Sequence, residues 1–239
     1  MCGIGGFFNA DGIPYSSAIP WAMVQSMRHR GPDNLDVRIG WRHATLMSEG
    51  VGEVALCHAR LSILDLSSAA HQPMASPCGK VVLAYNGEVY SFQALRHDLE
   101  REGYSFKTRS DTEVVLAAYL TWGHEFVGRL DGMFAFAIWD GRKEPRIILG
   151  RDRLGIKPLY YMIHGQRIAF ASQPSALRSV PGFTPVLDRA ALDAYLTLRY
   201  IPEPLCAFHG VQKLASGTIL VFDSSGAQLR HYWEPIQKH

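Results

Sequence analysis

Residues 1–8 of the chain read MCGIGGFF, and this stretch decides how the fold is interpreted. An apolar run that stops before an Asp-Gly turn is typical of a buried strand. Glycine costs backbone entropy in a strand, so the positions of Gly3, Gly5 and Gly6 require a structural reason. We therefore predict a central strand with Cys2 at its beginning, and glycines that let a substrate approach the backbone beside the cysteine.

Further strands are predicted by short apolar or alternating runs, whose close spacing favours antiparallel pairing. The runs are VALCHARLSI (54–63), KVVLAY (80–85), EVYSF (88–92), MFAFAIWD (133–140), RIILGRD (146–152), PLYYMI (158–163), RIAFAS (167–172) and a hairpin in GTILVFDSSGAQLRHYWEP (217–235) around Ser224-Ser225-Gly226. Together they predict two antiparallel sheets.

Three helices are predicted after the candidate N-cap residues Ser91, Ser110 and Asp188. Gly103 and Gly123 are expected to end the first two. Amphipathic helices packed on two sheets give an α+β layered architecture.

Composition excludes several classes of function. Lys and Arg total 24 against 22 Asp and Glu, with no basic block, so nothing favours nucleic acid or an anionic membrane as a partner. No apolar stretch approaches the ~18 residues of a membrane span. The cysteines show neither C-x-x-C pairs nor metal-ligand spacing, so we expect a reduced, cytoplasmic protein without a metal site. Cys57, Cys78 and Cys206 are interpreted as buried packing residues.

Cys2 has two interpretations on its own. It is either a small apolar residue at a frayed terminus or, once Met1 is removed, a residue that carries both a thiol and a free α-amine. The amine has a reference pKa of about 7.7–8.0, close to that of the thiol at about 8.5. It can therefore act as a general base for its own thiol.

The motifs in the rest of the chain bear on this choice. They are CGIGGF (2–7), RHRGPD (28–33), HARLSILDLS (58–67), HQPM (71–74), YNGEVYSF (85–92), SDTEVVL (110–116), DGMFAFAIWD (131–140), GRDRLGIKPLYY (150–161) and YLTLRYIPEP (195–204). In this order, from Cys2 to Trp233, the chain resembles the glutaminase half of glutamine-dependent asparagine synthetases. These are class II glutamine amidotransferases among the N-terminal-nucleophile hydrolases.

The resemblance implies an αββα sandwich of two packed antiparallel sheets flanked by helices. It implies a glutaminase domain over residues 2–226, with 227–239 as a terminal strand and the start of a linker. The linker would lead to an ATP-pyrophosphatase synthetase domain that carries S-G-G-x-D-S, a motif that does not occur within these 239 residues.

The resemblance also implies the roles of the site residues. Cys2 would be the nucleophile, and the Asn86 side-chain amide and the Gly87 N–H would form the oxyanion hole. Arg60 would bind the α-carboxylate of glutamine and Asp111 its α-ammonium group. Further glutamine contacts would come from Leu61, Ser62, Ile63, Leu64 and Glu88, and the RHRGPD loop would lie over the cysteine.

Three of these residues have simpler explanations. Asn86-Gly87 between two alternating runs is the commonest signal for a tight hairpin. Asp111 would be favoured in the first turn of a helix by the helix dipole alone. Arg60 could be an ordinary surface charge. The chain also departs from the family pattern at Cys57, Ser91 and Gln173-Pro174, none of which falls on an expected glutamine contact.

The expected reaction is hydrolysis of L-glutamine to glutamate and ammonia. No cofactor or metal is expected in this domain, whereas ATP and magnesium are expected in the synthetase domain, where ammonia would amidate aspartate. That domain is the expected partner, with a homodimer as a further possibility. Two alternatives remain open. The same chemistry could supply another carboxylate or a sugar in a surface-polymer or natural-product pathway, or the domain could bind glutamine without hydrolysing it.

Overall fold

The structure is a computed structural model that describes residues 1–63 and 65–235. Its strands are β1 (Gly3–Asn9), β2 (Tyr15–Ser16), β3 (Asn34–Gly40), β4 (Val51–Gly52), β5 (Val54–Arg60), β6 (Met74–Ala75), β7 (Val81–Val89), β8 (Gly132–Asp140), β9 (Arg146–Arg151), β10 (Tyr160–His164), β11 (Arg167–Ala171), β12 (Val211–Lys213), β13 (Thr218–Asp223) and β14 (Gly226–His231). Its α-helices are α1 (Ala18–Ser26), α2 (Phe92–Arg101), α3 (Asp111–Trp122), α4 (Phe126–Arg129) and α5 (Arg189–Leu198).

The first sheet has the strand order β12-β10-β11-β1-β5-β3, and the pairs are antiparallel. The glycine-rich segment forms β1 in its interior, where Gly3 lies opposite Ala59 and Gly5 opposite Ala171. All seven residues of β1 are buried. The predicted central strand is confirmed.

The second sheet has the order β14-β13-β9-β8-β7-β6 and is also antiparallel. The hairpin interpretation of Asn86-Gly87 is wrong, because β7 runs without a break from Val81 to Val89. In the ladder with β8, Asn86 lies opposite Ala135 and Gly87 opposite Phe134. A Cβ atom on Gly87 would lie 2.5 Å from the Met133 carbonyl oxygen, so this glycine permits close strand pairing instead of a turn.

Apolar side chains from the facing sides of the two sheets form a common core, in which Ile4 and Phe8 meet Ala84, Trp139 and Leu220. Helix α1 covers the outer side of the first sheet. Helices α2 and α3 pack on the outer side of the second, against Leu83 and Tyr85 of β7. The α+β αββα sandwich is therefore confirmed.

Helix boundaries follow the predicted caps with one exception. The side chains of Ser110 and Asp188 accept hydrogen bonds from the N–H groups of Glu113 and Ala191. Ser91 precedes α2, but its side chain makes no capping bond. Gly103 and Gly123 follow α2 and α3 with positive φ, and the terminal hairpin turns at Ser224-Ser225.

Gly3 and Gly5 of β1 do not have the predicted role. A Cβ on Gly3 would lie 3.0 Å from Met27, and one on Gly5 would lie 3.2 Å from both Met23 and Cys57. These positions face α1 and the segment after it, so the missing side chains let the helix pack closely on the sheet. They do not open the backbone to a substrate.

Candidate active site

Cys2 lies immediately before β1 and is partly buried. The Leu61 N–H, just beyond β5, donates to its Sγ atom at 3.3 Å, and the Leu61 carbonyl oxygen lies 3.6 Å from the same sulfur. The Nε–H of Arg30, in the RHRGPD loop, donates to the Cys2 carbonyl at 3.1 Å. The main chain and the sulfur of Cys2 are thus held by two different loops.

The surroundings of Cys2 do not by themselves ionise the thiol. Burial raises its pKa above the ordinary value, and this effect exceeds the opposing ones. The effects that lower the pKa come from the Leu61 hydrogen bond, from the terminal ammonium group and from the charges of Arg60 and Lys157. A reaction that begins with this sulfur therefore needs a base at hand.

A cleft open to solvent lies beside Cys2. It brings together Cys2 and most of the other residues predicted for the site from the sequence. The residues that line it are Cys2, Arg60, Leu61, Ile63, Asp65, Ala70, Gln72, Tyr85, Gly87, Glu88, Ser110, Asp111 and Thr112.

Three of the residues predicted for the site differ from the rest. Asn86 is not among the residues that line the cleft, although its neighbour Gly87 is. Ser62 is not among the lining residues, and its N–H donates to the Asp33 carboxylate at 2.7 Å, which ties this segment to the RHRGPD loop. Leu64 lies outside the described residues. The same holds for residues 236–239, the end of the expected linker.

The backbone N–H of Gly87 points from the open edge of β7 towards the cleft. Phe134 lies opposite Gly87 in the ladder, and both its N–H and its C=O point away from β7 and bond to Asp152. The alternation of an antiparallel ladder then directs the Gly87 N–H away from β8, towards the edge that faces the cleft. On that edge Gln72 Oε1 accepts the N–H of Tyr85 at 2.6 Å, and Asp111 Oδ2 that of Val89 at 3.2 Å.

Asn86 lies next to this amide and is 2% exposed. Its Nδ2 atom is buried and has no hydrogen-bond partner within the part of the chain that the structure describes. Buried polar groups are almost always hydrogen-bonded, so an exception indicates strain or a function. A free amide donor next to the cleft-lining Gly87 is suited to hold an oxyanion.

Asp111 is both a helix residue and a wall of the cleft. It begins α3, and its Oδ2 atom accepts the Tyr85 hydroxyl at 3.0 Å. Burial raises the pKa of Asp111, and the hydrogen bonds from Val89 and Tyr85 oppose this. The charge of Glu88, also in the cleft, raises it further. Two acidic groups at one end of the cleft favour a cationic ligand group.

Arg60, at the end of β5, is 6% exposed, so it is not a surface charge. Its Nη1 donates to the Ser67 carbonyl at 3.2 Å, and its Nη2 donates to the Asp65 carbonyl. Arg60 thus ties the backbone at Asp65 and Ser67 to the end of β5. A guanidinium group has five N–H donors, so three remain after these two bonds.

Several contacts of the site were not predicted from the sequence. They involve Arg30, Asp33, Asp65, Gln72 and Tyr85. The RHRGPD and HQPM motifs mark three of these positions. The partners, however, lie far apart in the chain, as Cys2 and Leu61 do at a separation of 59 residues.

The interpretation of the other cysteines is partly wrong. Cys57 and Cys206 are buried, as predicted, but Cys78 is exposed. A hydrogen bond from Ser76 and the Lys80 N–H lower the pKa of the Cys78 thiol. Its position in a tight turn between β6 and β7 gives it no core to pack into.

The structure includes neither a membrane-length helix nor a metal-binding cluster in the ranges 1–63 and 65–235. None of the described helices is long and apolar enough to cross a bilayer. No group of three or more His, Cys, Asp or Glu side chains there is arranged to hold a metal ion.

The sandwich of two sheets, with a cysteine at the head of an interior strand and a cleft beside it, defines a class II glutamine amidotransferase domain with the fold of N-terminal-nucleophile hydrolases. The chain belongs to the glutamine amidotransferase domain family, which it matches over residues 1–233. This is an enzyme family, and the match confirms the resemblance noted in the sequence.

Individual relatives agree with this assignment. The chain is 36% identical over 222 residues to asparagine synthetase [glutamine-hydrolyzing] 1 of Bacillus subtilis, covering 91% of this chain and 33% of that protein. It is 41% identical over 181 residues to asparagine synthetase B of Escherichia coli, covering 74% and 30% respectively. The chain thus spans about a third of the length of these relatives.

A solved structure confirms the fold. The glutamine phosphoribosylpyrophosphate amidotransferase of Bacillus subtilis superposes with a TM-score of 0.73 at 21% identity, over 98% of this chain and 50% of that one. At this identity the likeness concerns the fold alone.

Proposed function

We propose that this domain hydrolyses L-glutamine to glutamate and ammonia, with Cys2 as the nucleophile. The observation that carries the proposal is one cleft lined by Cys2 and by the buried Arg60 and Asp111. Asn86, the residue before the cleft-lining Gly87, has a side-chain amide without a partner among the described residues. The thiol can attack the side-chain amide of glutamine, the cation can pair with its α-carboxylate and the carboxylate with its α-ammonium group. The free amide donor can bind the oxyanion of the tetrahedral intermediate.

The chemistry begins with removal of Met1, which frees the α-amine of Cys2. This amine takes the thiol proton, and the thiolate attacks the side-chain amide carbon of glutamine. Asn86 Nδ2 and the Gly87 N–H hold the oxyanion. The amine returns the proton to the leaving nitrogen, the C–N bond breaks, and ammonia departs. Water then adds to the γ-glutamyl thioester and releases glutamate and the thiol.

The binding roles follow from charge. Arg60 would pair with the α-carboxylate through its remaining N–H donors. Asp111 and Glu88 would receive the α-ammonium group, and Leu61 and Ile63 would line the same pocket. For Ser62 and Leu64, the family resemblance alone supports a contact with glutamine.

We further propose that the ammonia is used in an ATP-dependent amidation of aspartate. The support is that the relatives named as glutamine-hydrolysing asparagine synthetases are about three times as long as this chain. The glutaminase domain would comprise residues 2–226, and 227–239 would lead towards a C-terminal synthetase domain that binds ATP and magnesium. A cytoplasmic location and a homodimer stay predictions.

The decisive experiment compares wild type with Cys2→Ala and, as a matched control, with Cys78→Ala. Intact-mass measurement should find Met1 absent from active protein. Glutamate release should proceed without ATP in wild type and in Cys78→Ala, and should be abolished in Cys2→Ala, which should still bind glutamine. A wild-type protein that binds glutamine without hydrolysing it would instead be a binding module. Activity in Cys2→Ala, or in protein that retains Met1, would overturn the mechanism.

A further inference from the structure

A buried histidine joins the two sheets next to the proposed oxyanion hole. His58 lies in β5 opposite Ile4 of β1 and is fully buried. Its Nε2 atom lies 3.0 Å from the carbonyl oxygen of Tyr85 in β7. The contact therefore connects the first sheet, in which Cys2 precedes β1, to the second sheet, which carries Asn86 and Gly87.

The partner fixes the tautomer. A carbonyl oxygen only accepts hydrogen bonds, so Nε2 must carry a proton, and in the neutral ring Nδ1 is then bare. Nδ1 is itself buried without a partner among the described residues. Burial and the charge of Arg60 lower the pKa of His58 to about 4, although the bond to Tyr85 opposes this. The imidazole is therefore neutral near pH 7 and donates through Nε2.

The accepting carbonyl belongs to the peptide group between Tyr85 and Asn86. The strand pairing of β6 with β7 reaches only Val82 and Leu83, so no strand holds this part of the β7 edge. Side chains hold it instead. Gln72 accepts the Tyr85 N–H at 2.6 Å, and His58 donates to the Tyr85 carbonyl. Both main-chain polar groups of Tyr85 are thus anchored just before the residues that would bind the oxyanion.

We propose that His58 is a positioning residue, which holds the carbonyl side of the Tyr85–Asn86 peptide through Nε2–H, while the pairing of Asn86 with Ala135 of β8 holds the other side. Together they place the Asn86 amide and the Gly87 N–H for the reaction. The inference rests on the proposed glutaminase function. It assigns His58 no proton transfer and no contact with glutamine.

Two substitutions of like chemistry but different reach test this role. In His58→Gln the amide nitrogen occupies nearly the position of Nε2, whereas in His58→Asn it stops near the position of Nδ1. A misplacement of about 1 Å in a catalytic group can cost about 100-fold in rate. We expect His58→Asn to lower kcat by about 10- to 100-fold with the glutamine KM unchanged, and His58→Gln to restore kcat to within about threefold of wild type.

A stability control separates positioning from general loosening. Leu149→Ala removes a fully buried side chain of β9 in the core between the sheets. It should lower the melting temperature while kcat stays near that of wild type. Equal kcat in His58→Gln and His58→Asn, or a loss confined to KM, would overturn the inference.

A third measurement needs neither variants nor activity. Long-range ¹H–¹⁵N spectra of wild type should show His58 as the Nε2–H tautomer with a slowly exchanging proton. Finding the Nδ1–H tautomer would overturn the inference even if both variants failed to fold. A wild type with this tautomer but without glutaminase activity would contradict the proposed function and leave the anchoring of Tyr85 intact.

Discussion

Replacement of Arg60 by lysine tests the proposed carboxylate site most directly. In the structure Arg60 uses one N–H on the Ser67 carbonyl and one on the Asp65 carbonyl. Three of its five donors remain, enough for a two-pronged bond to a carboxylate. Lysine has three donors in all, so only one remains if the same two carbonyls are to be held.

The expected loss is therefore one charge-assisted hydrogen bond out of two. Such a bond contributes about 1.5–3 kcal/mol, which corresponds to a rise of about 10- to 150-fold in the glutamine KM. Because the α-carboxylate is held equally in the ground state and the transition state, kcat should change little. The positive charge is retained, so long-range electrostatics are not altered.

The assay is glutamate release at varied glutamine concentration, and Arg96→Lys is the matched control. Arg96 also donates to a backbone carbonyl, that of Thr108 at 2.8 Å, but it lies outside the cleft. The control should keep the wild-type KM. A KM in Arg60→Lys within twofold of wild type, or a loss confined to kcat, would refute the assignment of Arg60 to the carboxylate.

Three further predictions follow from single contacts. Gly87→Ala should lower the melting temperature or prevent folding, because its Cβ would lie 2.5 Å from the Met133 carbonyl oxygen; an unchanged melting curve would contradict the register of β7. Burial would raise the pKa of Asp140, but hydrogen bonds from its neighbours outweigh this and lower it to about 2. The ionised Asp140 carboxylate should therefore stabilise the fold fully above about pH 4 and lose this effect towards pH 2. The urea midpoint of wild type should fall over this pH range, and that of Asp140→Asn should lack this part of the fall. Iodoacetamide should modify the exposed Cys78 readily, whereas a glutamine-like diazoketone should modify Cys2 and be blocked by glutamine; diazoketone labelling at Cys78 would contradict the site.

The sequence predicts most of the layered architecture because the signals are local. The interior strand at residues 3–9, the caps at Ser110 and Asp188, and the terminal hairpin each depend on residues within a few positions of one another. Asn86-Gly87 shows the limit of such signals. Its local turn preference is overridden by pairing with β8, whose nearest residue in the ladder lies more than forty positions away.

The site is predictable in its residue types but not in its contacts. The motifs mark Cys2, Arg60 and Asp111, and the cleft contains all three. Nothing local indicates that Leu61 holds the sulfur or that His58 reaches β7, since each contact joins segments that only the folded sheets bring together. The prediction for Gly3 and Gly5 is wrong for the same reason, because their neighbours lie in α1 and in the segment after it.

The location of Cys2 at the head of an interior strand limits how this domain can be combined with others. Under the proposed chemistry the amine at that position must be free, so a polypeptide fused in front of Cys2 would convert the base into an amide. An extension that stays attached is compatible with this chemistry after β14, which lies at an edge of the second sheet, whereas one in front of Cys2 must be cleaved off. A permanent fusion partner therefore belongs downstream, and so does an affinity tag that is not removed.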